Sequence, residues 1–204
     1  MNRPFILLET MRIVLRRFSV ADAEHLFALD NDPEVMRYIN GGTAVSWQVI
    51  QDDILPQFCR YDDHTPLFGF WAIIAKNTGG FLGWLSYRPS AETPHEAVLG
   101  YRLRREAWGQ GIATEAARAL IAQGFLHTDI TAVVATTYEK NAASRRVMEK
   151  LGMSWVGSFR VTAEDILSAD TYHATSADVW EGEDVIYKLT RETWATANNS
   201  QSAP

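Results

Sequence analysis

The stretch Trp108-Gly109-Gln110-Gly111-Ile112-Ala113-Thr114 decides how this chain is read. Two glycines flank one polar residue, so the backbone can turn several N–H groups toward one point, and a following helix adds its positive end there. Such a junction suits an anion, a phosphate above all. Behind it, Ile112, Ala113, Ala116, Ala117, Ala119, Leu120, Ile121, Gly124 and Phe125 recur at three- and four-residue spacing, leaving Arg118 and Gln123 on the other face. That spacing predicts a helix from about Thr114 to Phe125. Ahead of the turn, Ala97 to Leu103 is apolar and then alternates, as a strand does when it leaves a core. Strand, glycine turn and helix admit a phosphate cradle, or a tight turn that only packs helix on strand. The dinucleotide fingerprint G-x-G-x-x-G fits poorly because Thr114 stands at the third small-residue position, although Asp129 lies near the distance of a ribose-binding acid. No G-K-[ST] follows, which excludes a P-loop.

A second motif follows the next strand-like run, Ile130 to Thr137, whose β-branched content argues a buried strand. It reads Asn141-Ala142-Ala143-Ser144-Arg145-Arg146-Val147-Met148-Glu149-Lys150-Leu151-Gly152-Met153. Val147, Met148 and Leu151 mark one helix face, Gly152 suits the C-terminal cap, and Asn141 or Ser144 stands at the helix start.

Together these residues resemble the GCN5-related N-acetyltransferases, in particular the branch that includes the ribosomal-protein N-terminal acetyltransferases (RimJ/RimL-like). The family's pyrophosphate loop, Q/R-x-x-G-x-G/A, is matched by Trp108 to Ala113 except that Trp108 replaces the polar first residue. The run N-x-x-S, an apolar helix and L-G-[MF] is similar to the same branch. So are Leu8-Glu9-Thr10-Met11-Arg12-Ile13-Val14-Leu15-Arg16 as an opening strand, Asp32-Pro33-Glu34-Val35-Met36-Arg37-Tyr38 as the helical turn after it, and Asp184-Val185-Ile186-Tyr187 as the last strand. The resemblance spans residues 8 to 194.

Bulk properties fit. The chain has 204 residues, long enough for one domain with a sizeable core, and its hydrophobic fraction of 47% is that of an ordinary globular protein. We expect one domain over residues 1–194 and a small, polar, disordered tail over 195–204. A formal net charge of −6 without a long Lys/Arg run argues against a general nucleic-acid binder, leaving a small molecule or a cationic peptide as partner. Cys59 is the one cysteine, so no internal disulfide forms, and it reads as a core or surface thiol. No long apolar segment of signal or transmembrane type is present near the N-terminus, so the expectation is a cytoplasmic protein with no membrane partner. The five histidines, His25, His64, His95, His127 and His173, lack paired metal spacing, so no metal is expected.

Elsewhere, Met11 to Arg16 alternates as a strand, and Ser19 with Asp22 offers a capping box for a helix to about Asp30. Asp32-Pro33 starts a short helix, and another runs from Ser46 to near Arg60. Phe68 to Ala75 and Phe81 to Tyr87 read as a hairpin through Asn77-Thr78-Gly79-Gly80, and further strands lie near 96–103, 130–137, 153–160 and 184–190. The aromatic residues Tyr38, Trp47, Trp71, Trp84, Tyr87 and Tyr172 read as core, a few able to line an amine pocket. The pattern is α/β. The resemblance implies a mixed, twisted sheet of about seven strands with splayed fourth and fifth strands and flanking helices.

It also implies the chemistry: transfer of an acetyl group from acetyl-CoA, as co-substrate, directly to a primary amine. The acceptor is a small amine or a protein N-terminus, the latter favoured, and homodimers are common in the family. Trp108, Gly109, Gln110, Gly111, Ile112, Ala113 and Thr114 would hold the pyrophosphate, while Tyr101 and Leu103 line the pantetheine arm. Asn141 and Ser144 would face the arm from the other side; a helix cap is the plainer reading of Asn141. An N–H between Leu99 and Tyr101 would steady the oxyanion. Many relatives carry a tyrosine seven residues after the asparagine, where this chain has Met148, so Ser144 is the nearest candidate acid. Many also carry a glutamate where Val98 stands; Glu96, on the same strand face, is the candidate base, against a solvated edge charge. Glu115 reads as a residue that orients the turn. Residues 160–182, with Glu164, Asp165, Asp170 and Asp178, form a solvated loop or a lid that attracts a cationic substrate. A non-catalytic CoA-sensing module and a nicotinamide-dependent enzyme are the competing readings.

Overall fold

A computed structural model describes residues 5–61, 66–160 and 182–201. Their strands are β1 (Ile6–Glu9), β2 (Ile13–Arg17), β3 (Gly69–Ala75), β4 (Phe81–Pro89), β5 (Glu96–Leu103), β6 (Ala132–Tyr138), β7 (Ser154–Phe159) and β8 (Asp184–Thr190). They form one sheet in the order β1-β2-β3-β4-β5-β6-β8-β7. Neighbours are antiparallel except β5 and β6. One parallel pair in eight strands is not a doubly wound dinucleotide fold, which removes the nicotinamide reading. Asp129 is exposed and lies 2.8 Å from His95.

The eighth strand, β1, comes from breaking the opening stretch in two. Thr10 turns the chain: its hydroxyl accepts the Ile13 amide at 3.1 Å and its own amide donates to the Ile13 carbonyl at 2.9 Å. A hydroxyl that satisfies the backbone locally favours a turn over a continued strand. β1 then folds back on β2 with a bulge between Ile6 and Leu8.

The period-two alternation of the strands divides the core between the two faces of the sheet. Ile13, Leu15, Trp71, Ile73, Leu85, Tyr87, Ala97, Leu99, Val133, Ala135, Val185, Tyr187 and Leu189 share one face with α5 (Ile112–His127) and Met148 of α6 (Ala142–Lys150). Phe70, Ala72, Phe81 and Trp84 lie on the other, under α1 (Ala23–Asp30) and the helical run Trp47–Phe58. That run is α3 (Trp47–Val49), a π segment (Ile50–Ile54) and α4 (Leu55–Phe58). Pro56 has no N–H to donate back into the preceding turn, and a widened turn there accommodates the loss.

Asp32 caps the short α2 (Pro33–Met36) by accepting the Glu34 amide at 3.0 Å. At the other end of the chain, α7 (Arg191–Gln201) continues through most of the stretch expected to be disordered. Trp194 anchors its first turns against Phe125 of α5, with ring centroids 5.5 Å apart, a tertiary contact that local composition did not announce.

Candidate active site

β5 and β6 pair only from Glu96–Ala132 to Val98–Val134. Beyond that, β5 stays with β4 as far as Leu103 opposite Gly83, and β6 stays with β8 as far as Tyr138 opposite Asp184. The facing edges of the two strands therefore part after Val98 and Val134, opening a wedge. Gly83 lets β4 hold β5 on its side: a Cβ there would lie 2.7 Å from Leu103 Cα, at a φ of +139°. The expected splay is thus present, between the fifth and sixth strands once β1 is counted.

At the far end of β5 the glycine turn closes onto α5. Gly109 and Gly111 have φ of +71° and +77°, a left-handed conformation that side-chain-bearing residues rarely adopt. Gly109 has open space where a Cβ would be, so its need is conformational. α5 begins at Ile112, earlier than expected; Ile112, Ala113 and Thr114 turn their side chains into the core, and their first-turn amides keep no helical partner. The Trp108 indole donates to the Leu103 carbonyl at 2.8 Å, tying the turn to the end of β5, while the Gln110 side chain folds back onto the Glu106 carbonyl.

Three of the residues singled out from sequence meet beside the wedge. Asn141 caps α6: its Oδ1 accepts the Ser144 amide at 3.2 Å and its Nδ2 donates to Thr137 Oγ1 at 3.1 Å. Tyr101 reaches from β5 to the same helix, its hydroxyl donating to the Ser144 carbonyl at 3.1 Å and lying 2.9 Å from Ser144 Oγ. Burial pushes the Tyr101 phenol up to about 12, against the opposing pull of Ser144, so it stays protonated at neutral pH. Met148 is 1% exposed within the core, so this position contributes packing and no proton donor.

Glu96 lies elsewhere. It stands at the narrow end of the wedge, on the face opposite α5, where it is ion-paired with Lys188 of β8. The solvated edge charge considered for it is not what the fold builds, since its side chain is 13% exposed. With Thr131, Thr190, Arg191 and Glu192, the pair borders an open depression of about 610 Å³. Lys188 was missed from sequence; the available signal was a lysine set between the apolar Ile186, Tyr187 and Leu189 of this strand. Also missed was Arg102, which is buried against Asp30 at the end of α1 and stacks over Trp84 at 5.2 Å. Cys59 is half-buried, and burial raises its thiol pKa, which suits packing rather than nucleophilic work. The lid carboxylates Glu164, Asp165, Asp170 and Asp178, with Tyr172, His64 and His173, lie outside the described residues.

Residues 12–154 match the family model described as an acetyltransferase (GNAT) domain. The chain is similar to an FsC-acetyl coenzyme A-N(2)-transacetylase of Aspergillus fumigatus, 31% identical over 195 residues, covering 92% of this chain and 77% of the relative. Among solved structures, it resembles a GNAT-family acetyltransferase of Bacillus anthracis, with a TM-score of 0.71, 20% identity and coverage of 92% and 99%. It also resembles RimL, a ribosomal L7/L12 alpha-N-protein acetyltransferase in complex with coenzyme A, with a TM-score of 0.70, 18% identity and coverage of 91% and 98%. A parted pair of parallel strands, a left-handed glycine turn leading into a helix, and a sequence match over most of the chain agree: this protein is a member of the GNAT family of N-acetyltransferases.

Proposed function

We propose that the chain transfers an acetyl group from acetyl-CoA directly to a primary amine, with a protein or peptide N-terminal α-amine as the favoured acceptor. The observation that carries this reading is the wedge between β5 and β6, with a hydroxyl pair on one face of the sheet and a carboxylate on the other. Acetyl-CoA, when bound, would supply the activated thioester.

The residues present fit that group. Backbone amides from Gly109 to Thr114 would hold the pyrophosphate, with open space beside Gly109. The edge of β5 from Leu99 to Leu103 has given up β6 as a partner, and its polar groups can pair with an extended amide-bearing arm. An N–H between Leu99 and Tyr101 would face the developing oxyanion. Ser144, hydrogen-bonded to Tyr101, would give a proton to the departing thiolate, and Glu96 would draw one from the incoming amine through water. Two faces serve the two proton transfers, so donor and acceptor need not share one entrance. The depression is lined by two carboxylates, Glu96 and Glu192, and two cations, Lys188 and Arg191, so its charge is balanced.

A small-molecule amine is the second reading, favoured by the transacetylase relative, whose name places its reaction at an N(2) position. Calorimetry with acetyl-CoA, followed by thiol release across a panel of N-terminal peptides and small amines, tests both. Binding with release on peptides is expected. Release only on small amines would support the second reading, binding without release a sensing module, and no binding would sink the proposal. Glu96→Gln should lower kcat by about a hundredfold while acetyl-CoA affinity holds; an unchanged kcat removes Glu96 as the base.

A further inference from the structure

The turn between β1 and β2 reaches the first turn of α5 through a network built on one carboxylate. Glu115 Oε1 accepts from the Thr10 hydroxyl at 2.5 Å and from the Arg12 amide at 3.2 Å. Its Oε2 accepts from Arg12 Nε at 2.6 Å and lies 2.5 Å from Nη2, so one carboxylate oxygen sits in the fork of the guanidinium. The remaining guanidinium nitrogen, Nη1, donates to the Gln110 carbonyl at 2.9 Å. Arg12 thus holds α5 with one side of its fork and the glycine turn with the other. Burial pushes the Glu115 carboxyl up, but the hydrogen bonds from Thr10 and Arg12 more than reverse this and keep it ionised.

The hydrogen bond to Gln110 has a geometric consequence. The described chain contains no cis peptide bond, so the plane joining Gln110 to Gly111 carries its carbonyl and its N–H on opposite sides. A carbonyl fastened to Arg12 turns the Gly111 N–H away from Arg12. Without that fastening, the peptide between Gln110 and Gly111, whose second residue is a left-handed glycine, is free to rotate.

We infer that Arg12 and Glu115 are positioning residues for anion binding, which set the direction of the Gly111 N–H before the cofactor arrives. The inference rests on the reading of the glycine turn as a pyrophosphate cradle. It also gives the opening stretch Leu8 to Arg16 a role besides strand formation: Thr10 and Arg12 carry the order of the β1–β2 turn to the cradle. An ordinary exposed ion pair is worth little and would leave ligand affinity alone.

The test uses two probes on the full chain: acetyl-CoA, and S-acetyl-pantetheine, which shares the thioester and the arm but lacks the pyrophosphate. For Arg12→Ala and Glu115→Gln, the dissociation constant of acetyl-CoA should rise about tenfold while that of S-acetyl-pantetheine stays within roughly twofold. Arg12→Lys should fall between, because one ammonium cannot serve both Glu115 and the Gln110 carbonyl. Melting temperatures identify any variant that loses its fold, and Arg12→Lys and Glu115→Gln, which keep most of the side-chain volume, carry the comparison in that case. Acetyl-CoA affinity within roughly twofold of wild type in these variants, or equal weakening of both probes, overturns the inference. Wild-type protein that binds S-acetyl-pantetheine and acetyl-CoA equally overturns the cradle reading itself.

Discussion

Tyr101 and Ser144 illustrate how much a single residue depends on what the fold sets beside it. A serine in the first turn of a helix is ordinarily a surface group; here its hydroxyl and its carbonyl both meet a buried phenol from another element. On the proposed mechanism Ser144→Ala should lower kcat by about a hundredfold and leave acetyl-CoA affinity nearly unchanged, measured by thiol release and calorimetry. A rise in the dissociation constant with kcat intact would make Ser144 a binding residue instead. Gly124 shows the opposite dependence. Alanine is the better helix former, yet a Cβ at Gly124 would come within 2.7 Å of Tyr87 Cζ, and Tyr87 is fully buried. Overpacking outweighs propensity, so Gly124→Ala should destabilise by about 1–2 kcal/mol in urea unfolding. The nine apolar and small residues of α5 that signalled a helix could not reveal which of them had to be glycine.

At the scale of elements, the site depends on how β5 is held. Leu99 and Leu103 bury it against α5 on one face, and on the other Arg102 reaches α1 through Asp30, which is 0% exposed. Breaking a buried ion pair by removing one partner is strongly destabilising, so Asp30→Ala should cost about 3–5 kcal/mol, read by chemical denaturation. If the loss is below 1 kcal/mol, roughly the worth of an exposed pair, then α1 is not tied to β5 this way. The alternation of β5 was legible because it is a property of neighbours along the chain. Its parting from β6 was not, since either strand could have continued pairing by composition alone; the splay entered the reading through family resemblance. The same limit explains α7, whose polar residues lack a strong apolar stripe and which is held by Trp194 against Phe125.

For the molecule as a whole, acid stability gives a check on the packing before α1. Burial pushes the Asp22 carboxyl up, while the paired guanidinium nitrogens of Arg16 and the Ser19 amide more than reverse the shift and leave it below its usual value of 3.8. A carboxyl whose folded-state pKa is depressed stabilises above its unfolded value, and that stabilisation is lost as pH falls through the folded value. Asp22→Asn should therefore be less stable than wild type at pH 7 and should lose less on going to about pH 3, measured by urea unfolding at both. An equal loss in both proteins would show that other carboxylates govern acid unfolding. The amino-acid sequence by itself determined what local geometry dictates: a glycine turn that can gather backbone N–H groups, an amphipathic helix behind it, an asparagine cap, and strands that alternate. Only the tertiary structure decided the pairings across the chain: Tyr101 with Ser144, 43 residues apart, Glu96 with Lys188, 92 apart, and Arg12 with Glu115, 103 apart. The physical reason is that periodicity and backbone preference act within a few residues. Hydrogen bonds and ion pairs between distant residues form where the sheet order brings their strands and helices together, and that order is settled by burial over the whole chain.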